Sequence, residues 1–352
     1  MKKLSKTARQ NGITYGIVII AFVVMQILIS TGNISSSLEG LLIPFCYYVI
    51  LAVSLNLVVG VLGELSLGHA GFMCVGAFAS AFFTKCVQDT ITNSLLRFVL
   101  ALIIGALVAA LFGVLIGIPV LRLRGDYLAI VTLAFGEIIK NLVNVLFIGR
   151  DSNGFHFSMK DAFSLGMEPD GEVLVNGPQG ISGISHDSTF IIGVVLVLLT
   201  LFIVLRLINS RDGRAIQSIR DNRIAAESVG INVTKYKLMA FSVSAALAGT
   251  AGVLYAHNLS TLQAQPKNFG YNMSITILVF VVLGGIGNIR GSMIAAVVLT
   301  LLPELLRGLN DYRMLIYAVI LIATMIFTSS PGGQEIQERI KLFFERKKTK
   351  EA

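Results

Sequence analysis

Polar side chains inside long apolar runs are the residues of this sequence best suited to chemistry. Asn56, Glu64, Ser66 and His69 follow one another across the second and third apolar runs. An ionisable residue surrounded by lipid is costly, so it should face the interior of a helix bundle or a water-filled path. Such groups could contact a polar solute during its passage. We therefore name these four residues as candidate translocation-path residues.

Glycines interrupt the same region and a second region far along the chain. The first group comprises Gly60, Gly63, Gly68 and Gly71, and the second includes Gly284, Gly285 and Gly287. Paired, glycine-broken spans in the two halves of a membrane chain point to a transport path. Small residues also let helices approach closely without any path. Both interpretations stay open, and the three later glycines join the candidate path residues.

Glu137 and Lys140 stand three residues apart within one apolar run. Side chains at that spacing are neighbours on a helix, so the two charges can neutralise each other. The sequence favours this mutual pairing over a contact with a substrate. Glu137 nevertheless stays among the candidate path residues.

The motifs of nucleotide-binding, serine-hydrolase and zinc-protease sites are absent from this sequence. It has no GxxxxGK[ST], no GxSxG and no HExxH, and its four histidines lack metal-ligand spacing. The sequence therefore predicts no catalytic residue, no metal site and no cofactor bound by this chain. A membrane-embedded enzyme would need a convergent set of such groups.

A charged stretch between two apolar runs, residues 220–230, has the marks of a short helix outside the lipid. Asp221 or Asn222 could cap its start, and Gly230 could end it in the left-handed conformation. Such a helix is either a handle by which a partner moves the spans or an ordinary surface helix, and composition alone favours the second. The candidate contact residues are Arg220, Asp221, Asn222, Arg223, Ala225, Ala226, Glu227 and Gly230.

The elements that carry these residues are predicted to be membrane-spanning helices. Of the 352 residues, 55% are hydrophobic and 14% are charged, whereas a soluble domain carries about 25% charged residues. Apolar runs of about twenty residues match a hydrocarbon core about 30 Å thick. Because lipid offers the backbone no hydrogen-bond partners, each run should form a helix, in which the backbone groups bond to one another. The runs are residues 13–31, 41–61, 65–84, 95–120, 127–148, 189–208, 238–256, 275–283, 292–306 and 314–328. The eighth spans only if residues 271–274 and the following glycines join it.

The predicted fold class is thus all-α, a polytopic integral membrane helix bundle of about ten transmembrane helices with glycine-broken spans. With a cytoplasmic N-terminus, twenty lysines and arginines fall on the cytoplasmic side and seven on the other. This bias predicts both termini in the cytoplasm, and the net charge of +8 needs no nucleic-acid partner. The predicted divisions are a tail at 1–12, a transmembrane domain at 13–329, a cytoplasmic coupling loop at 209–237 and a basic tail at 330–352.

The segment at residues 149–188 is predicted to lie on the opposite, periplasmic side. It is rich in Gly, Ser and Asn and carries six acidic residues. A polar excursion of this length could dock an external partner or be a passive loop.

Several ordered blocks resemble the permeases of branched-chain amino acid ABC importers of the LivM type. They are residues 54–81, 122–140, 177–184, 210–257 and 281–307, and include SLNLVVGVLGELSLGHAGF and SRDGRAIQSIRDNRIAAESVG. The resemblance covers nearly the whole chain after the first span, and the order of the blocks makes it specific. Residues 155–176 form a longer segment than the family pattern has.

The resemblance implies a bacterial inner-membrane, multi-pass subunit that imports leucine, isoleucine or valine by alternating access. Residues 225–230 take the position of the helix that fits a groove on an ATPase. The implied partners are a second related permease, two cytoplasmic ATPases that use ATP and Mg, and a periplasmic or lipid-anchored binding protein. Two alternatives stay open: a permease for urea, short amides or other amino acids, and an ion-coupled secondary transporter.

Overall fold

The computed structural model describes residues 6–32, 35–123, 125–169 and 171–312, together with 315–316, 318–319, 321–323 and 326. The chain divides into two compact units, one ending at Val297 and the other beginning at Val298. Residues 6–12 of the predicted N-terminal tail are described and lie in the first helix, and eight residues of the predicted tenth run at 314–328 are described, whereas the predicted basic tail at 330–352 lies outside the described residues.

Helices make up most of the described chain, in the order predicted by the apolar runs. They are α1 (Lys6–Ser30), α2 (Ser36–Asn56), α3 (His69–Val87), α4 (Ser94–Val120), α5 (Asp126–Asn144), α6 (Phe190–Ile208), α7 (Arg211–Asp221), α8 (Arg223–Ser228), α9 (Val233–Ala256), α10 (Pro266–Phe269), α11 (Tyr271–Gly284) and α12 (Ile289–Leu305). A π-helical turn, Leu57–Leu62, continues α2, and short 3-10 helices occupy Phe163–Leu165, Gly177–Gln179 and Leu306–Tyr312.

The polytopic helical class is confirmed. Within the described residues, eight helices are long and apolar enough to cross a membrane. One of them joins α10 to α11 over Pro266–Gly284, so the eighth predicted run gains the upstream residues that it needed. The fifth predicted run forms α5, which carries Asp126, Glu137 and Lys140 and is not among the eight. With α5 and the tenth run, the expected number of about ten agrees roughly with this count.

Two predicted helical boundaries were wrong. Residues 65–68 belong to the third apolar run but are not helical, and α3 begins only at His69. The π-helical turn upstream ends at Leu62 and is followed by Gly63, whose φ of 80° is accessible to glycine and unfavourable for other residues. The fifth run was predicted to stay helical to residue 148, but α5 ends at Asn144 and Phe147 starts a strand.

Small residues on α9 bring the central helices together. Helix α9 packs against α2, α3 and α4, and its residues from Leu247 to Ala256 are all buried. A Cβ atom on Gly76 of α3 would lie 2.8 Å from the carbonyl carbon of Gly249. The two backbones therefore touch directly, as small residues permit between helices in a membrane.

The polar segment at 149–188 folds into small antiparallel sheets. Strands β1 (Phe147–Asp151), β2 (Gly154–Ser158) and β3 (Glu172–Asn176) form one sheet in the order β2-β1-β3, and β4 (Ile181–Ser182) pairs with β5 (Thr261–Leu262). The Arg97 guanidinium makes two 2.8 Å hydrogen bonds to the Asp187 carboxylate. This bidentate pair fixes the start of α4 to the end of the segment, which is therefore an ordered element.

Candidate functional site

The polar side chains around α9 lie at its two opposite ends. Its 24 residues correspond to a length of about 36 Å. Lys237, near the start of α9, forms an ion pair with Glu64. His257, directly after the last residue of α9, lies 2.9 Å from the Thr84 hydroxyl through its Nε2 atom. Glu64 therefore lies at the end of the bundle where the 209–237 loop enters α9.

At this end, α2 loses its α-helical geometry. The π-helical turn closes with the Glu64 amide donating to the Val58 carbonyl at 3.2 Å, and Gly63 follows in the left-handed conformation. Turns of this kind occur often at functional sites. Gly60 lies inside the turn, and a Cβ atom there would come within 2.6 Å of the Gly287 Cα atom. The break in α2 thus touches the turn between α11 and α12.

Asn56 joins the two glycine-interrupted regions. Its Nδ2 atom donates to the Ser292 hydroxyl at 2.7 Å, and its Oδ1 atom accepts from the Gly287 amide at 2.8 Å. Gly285 and Gly287 have φ values of 91° and 82° in the turn that presents this amide. The structure therefore brings Asn56 together with Gly287, although they are 231 positions apart.

Gly284 and Gly285 form the first part of this turn. Gly284 is the last residue of α11. A Cβ atom on Gly284 would meet the backbone of Gly291 and Ser292 at 2.4 Å or less. Gly284 thus serves close packing, whereas Gly285 and Gly287 supply the positive φ values of the turn, which forms one wall of a polar junction.

The non-helical stretch at 64–68 is stabilised by side chains from other helices. The Leu67 amide donates to the Thr132 hydroxyl at 3.0 Å, and the Ala70 amide donates to the Ser274 hydroxyl at 3.2 Å. These bonds satisfy backbone groups that lipid could not. A broken span is therefore compatible with this position in the bundle.

Ser66 and His69 lie on either side of this stretch's end. The His69 Nε2 atom lies 2.7 Å from the Ser54 hydroxyl, and both groups are buried. The Ser66 hydroxyl is also buried, and it has no hydrogen-bond partner among the residues that the structure describes. An unpaired buried hydroxyl is rare in a folded protein. Ser66 is thus the candidate path residue with hydrogen-bonding capacity to spare.

Glu137 lies apart from the Asn56 junction. It forms the predicted ion pair with Lys140, and its Oε1 atom accepts from the Tyr271 amide at 2.7 Å. The carboxylate thus supports the first turn of α11 while neutralising Lys140. The interpretation of mutual pairing is confirmed by this geometry, which gives Glu137 a structural role.

The 209–237 loop contains two helices joined at Asn222. The Asn222 Oδ1 atom accepts from the Ala225 amide at 3.0 Å and so caps α8. Gly230 follows α8 with a φ of 85°. Of the two capping residues that the sequence allowed, the structure selects Asn222, and Gly230 adopts the predicted left-handed conformation.

One apolar residue of α8, Ile224, and the residue directly after the helix, Val229, face outward. Ile224 is 80% exposed and Val229 is 75% exposed. Ala226 is buried instead and packs with Ile219 and Val233 in a small cluster. Ala225 and Ala226 were among the residues predicted to contact a partner, and Ile224 and Val229 were not, although two large apolar residues in a charged loop were a usable signal. The surface of α8 is therefore better suited to docking a partner than the alanine positions alone suggested.

The two charged residues of α8, Arg223 and Glu227, form an ion pair with each other. The Arg223 Nε atom lies 3.0 Å from the Glu227 Oε1 atom, one helical turn apart. Both side chains stay partly exposed. An exposed pair at this spacing contributes at most a few tenths of a kcal/mol, so the two groups could exchange partners at an interface. Asp221, in turn, contacts Arg220 at 2.9 Å.

Arg220 connects the loop to the broken helix. Its Nη1 atom donates to the Gly60 carbonyl at 2.9 Å, and its aliphatic stem fills the space beside Gly63, where a Cβ atom would lie 2.5 Å from Arg220 Cγ. The sequence suggested charged contacts of Arg220 with a partner, whereas the side chain here reaches into its own chain. We call this contact the Arg220–Gly60 bridge.

Comparison with known proteins shows which family the chain resembles. Residues 37–326 match the profile of a family described as branched-chain amino acid transport system, permease component. The chain is 35% identical over 331 residues to the high-affinity branched-chain amino acid transport system permease protein LivM of Salmonella typhimurium, covering 91% of this chain and 74% of the relative. LivM of Escherichia coli K12 is 35% identical over 290 residues, which are 80% of this chain and 66% of the relative.

A second kind of permease is more distantly similar. LivH of Salmonella typhimurium is 22% identical over 301 residues, covering 83% of this chain and 93% of the relative. No solved structure matches the chain significantly.

Proposed function

The chain belongs to the family of branched-chain amino acid transport permease components, and from this premise we propose that it forms part of the membrane path of an ATP-driven importer for leucine, isoleucine and valine. The substrate assignment is supported by the names of the relatives, which are branched-chain amino acid permeases. The chain is a multi-pass membrane protein of a permease family whose members include LivM and LivH relatives. The path then runs between this chain and a second, related permease.

The rest of the proposed assembly supplies energy and substrate. Two cytoplasmic ATPases bind ATP and Mg, and this chain contributes no ATPase site of its own. A periplasmic or lipid-anchored binding protein delivers the amino acid on the side of β1–β3. The location is the bacterial inner membrane, with the 209–237 loop and both termini in the cytoplasm, as the distribution of lysine and arginine favours.

The Arg220–Gly60 bridge is the observation that carries the proposed mechanism. An ATPase that binds the exposed Ile224 and Val229 would displace α8 and, through the short joint at Asn222, the end of α7. Arg220 would transmit this displacement to the Gly60 carbonyl at 2.9 Å. Gly60 and Asn56 both contact the turn at Gly287, so the broken α2 and the α11–α12 turn would move together.

ATP drives such a movement only if the ATPases hold α8 differently in the two states of the path. The break in α2 gives the bundle a place to bend, because a π-helical turn and a left-handed glycine are weaker points than a continuous α-helix. The Glu64–Lys237 ion pair lies directly beyond Gly63. We assign this pair to the closure of the path at the α7–α8 end in the conformation described.

Uptake into proteoliposomes tests the function. The complete complex, with the second permease, two ATPases and the binding protein, is supplied with labelled leucine, isoleucine, valine or urea, with and without ATP. ATP-dependent uptake of the three amino acids is the expected result. Uptake of urea in preference to them would contradict the substrate. Uptake by this chain alone, driven by an ion gradient, would contradict the ATP-driven mechanism.

A pair of variants tests the docking surface. Ile224→Glu places a charge on the exposed face of α8 and should lower the amount of ATPase that co-purifies with the permeases. Phe163→Glu is the matched control, because Phe163 is 97% exposed in the 149–188 segment. ATPase recovery should be unchanged in the control. Equal recovery from both variants would remove α8 as the docking helix.

A further inference from the structure

Strand β2 exposes large apolar side chains on one of its faces. Phe155 and Phe157 stand two positions apart, as residues on one face of a strand do, and Met159 follows at the same spacing directly after the strand. They are 49%, 66% and 66% exposed. His156, between the two phenylalanines, points to the other face, where its Nε2 atom lies 2.9 Å from the Asp151 carboxylate. We call the three exposed residues the β2 apolar patch.

One row of side chains across the sheet shows which way this face points. Arg150 of β1 is paired with Phe155 on one side and with Glu172 of β3 on the other, so the three side chains share a face. Each of the three contacts the last two turns of α3. The partners of Phe155, Arg150 and Glu172 are the Phe82 ring (centroids 6.0 Å apart), the Cys86 carbonyl (3.2 Å) and the Lys85 ammonium (2.9 Å). The face that carries the β2 apolar patch therefore points toward the helix bundle.

Helix α3 gives the depth of this contact in the bilayer. Its 19 residues are long and apolar enough to cross a membrane, and their length of about 29 Å is close to that of a hydrocarbon core of about 30 Å. Phe82 lies before the last turn of α3, whereas Lys85 lies in that turn. The Phe155 ring, which contacts Phe82, thus reaches the level at which the apolar span meets the headgroups.

The next row of the sheet shows that only part of this face is covered. Ile148 of β1 lies between Phe157 and Val175 of β3. Ile148 and Val175 are buried, whereas Phe157 is exposed. The sheet is therefore covered at its centre and on the β3 side, and the β2 side extends beyond the cover.

The opposite face of the sheet is covered by the segment itself. Gly149 points to that face, and a Cβ atom added to it would meet the side chains of Met167 and Leu165. A soluble partner that approaches the membrane from this side meets the covered face first. The chain is a multi-pass membrane protein, so the bilayer is continuous around the bundle at the level of the Phe82–Phe155 contact. Lipid is thus the occupant that the direction of the β2 apolar patch favours.

We propose that the β2 apolar patch inserts into the bilayer beside α3 and anchors the sheet to the membrane surface. Apolar side chains of interfacial elements enter the boundary between headgroups and acyl chains by about 5–10 Å. The backbone of β2 stays among the hydrated headgroups, because β2 is an edge strand of the described sheet and an open edge cannot be satisfied in hydrocarbon.

The anchoring depends on apolar contact and not on anionic lipid. Lys160 and Asp161 follow the patch directly, so the charge beside it sums to zero. Exposed apolar patches that mark an interaction surface bind through the area they remove from water. The proposal concerns the attachment of the sheet to lipid and is independent of the transported substrate.

A single tryptophan tests the proposal, because the native chain contains none. Phe157→Trp is introduced into the full chain in phosphatidylcholine vesicles, and its emission is quenched by brominated phosphatidylcholine or by iodide on both sides of the membrane. Phe163→Trp is the matched control, since Phe163 lies in the same segment but in a 3-10 helix, and is 97% exposed. Lipid quenching should be several-fold stronger, and iodide quenching several-fold weaker, for Phe157→Trp than for Phe163→Trp.

The same quenching data distinguish lipid from a protein occupant. Protection of Phe157→Trp from iodide without lipid quenching would mean that a second copy of the chain covers the patch, and this result would overturn the proposal. Equal quenching at the two positions, by either reagent, would overturn it as well. Replacement of half of the phosphatidylcholine by phosphatidylglycerol should leave the lipid quenching unchanged.

A second reporter tests whether the phenylalanines hold the patch in the bilayer. Met159→Trp should be quenched by brominated lipid, and combined substitution of Phe155→Ser and Phe157→Ser should abolish most of this quenching. Phe163→Ser in the Met159→Trp chain is the control and should leave the quenching unchanged. Full quenching of Met159→Trp without the two phenylalanines would contradict their role as the anchor.

Discussion

Asn56 and Gly60 lie one helical turn apart, and both contact the turn between α11 and α12, each by a different kind of interaction. Asn56 uses both ends of its side-chain amide, toward Ser292 and Gly287. Gly60 uses the absence of a side chain, which lets its backbone approach Gly287. The junction therefore depends on one hydrogen-bonding residue and one contact between backbones.

Gly60→Ala should destabilise the chain. The added Cβ atom would lie 2.6 Å from the Gly287 Cα atom and would also meet the Asn56 side chain. Overpacking of this kind costs about 1–3 kcal/mol. Thermal unfolding of the detergent-solubilised chain should show a lower midpoint.

Gly40→Ala supplies the control for this change. Gly40 also lies in α2, and nothing is within 4 Å of the position of its Cβ atom. Alanine is the better helix former by roughly 0.5–1 kcal/mol, so the midpoint should stay constant or rise. If the unfolding midpoint of Gly60→Ala equalled that of Gly40→Ala, the junction would tolerate a wider spacing between the backbones at Gly60 and Gly287.

At the residue scale, local chemistry was predictable and partners were not. The cap by Asn222 and the left-handed Gly230 follow from rules that act within a few residues. The partner of Arg220 lies 160 positions away in Gly60, and its carbonyl carries no sequence signature. The same holds for Lys237, the last residue of the predicted coupling loop at 209–237, which the structure pairs with Glu64.

The element that departs most from expectation is the sheet of β1, β2 and β3. Glycine, serine and asparagine in the segment favoured a loop, because they weaken strands when considered singly. The strands form through pairing with one another, with β1 between the other two. Asp151 ends β1 and accepts from the Asn153 amide at 2.8 Å and the Gly154 amide at 3.1 Å. This carboxylate organises the turn into β2.

The β1–β2 turn should loosen in acid. Desolvation opposes ionisation of Asp151, but hydrogen bonds from the Glu168 and Asn153 amides and from His156 outweigh it and lower the pKa below 3.8. A carboxyl with a lowered pKa stabilises the folded turn above its ordinary value, and this contribution is lost as the pH falls through the lowered pKa. Hydrogen exchange of residues 151–156 should therefore gain protection between very acidic pH and about pH 5, beyond the intrinsic pH dependence of exchange.

Asp151→Asn gives the comparison for this pH dependence. The amide cannot ionise, so the change in protection of residues 151–156 between acidic and neutral pH should disappear. The exchange of α9 should be the same in both chains, because α9 lies outside the sheet. A pH profile unaltered by the substitution would show that another group controls the turn.

For the whole molecule, the positions of charged groups and the two ends of α9 give one consistent orientation. The 209–237 loop and the Glu64–Lys237 pair lie at one end, whereas Arg97–Asp187 and the sheet of β1–β3 lie toward the other. Apolar runs made the order and the approximate number of the membrane-spanning helices predictable. Their mutual packing depended on contacts such as Gly76–Gly249, which no single run contains.

Cysteine labelling in intact cells should establish the orientation. Phe163→Cys should react with a membrane-impermeant maleimide added outside, after permeabilisation of the outer membrane. Val229→Cys should react only when the inner membrane is opened. Cys46 and Cys74 are buried, and Cys86→Ser as the background removes the partly exposed native thiol. Reaction of Val229→Cys from outside would reverse the proposed topology.

The Arg220–Gly60 bridge has an asymmetric genetic consequence. Its acceptor is a main-chain carbonyl, which every amino acid at position 60 would retain. Heritable variation can therefore abolish the donor by one codon change, but it cannot abolish the acceptor in that way. Natural selection on the strength of this linkage must therefore act at position 220 or on the shape around it.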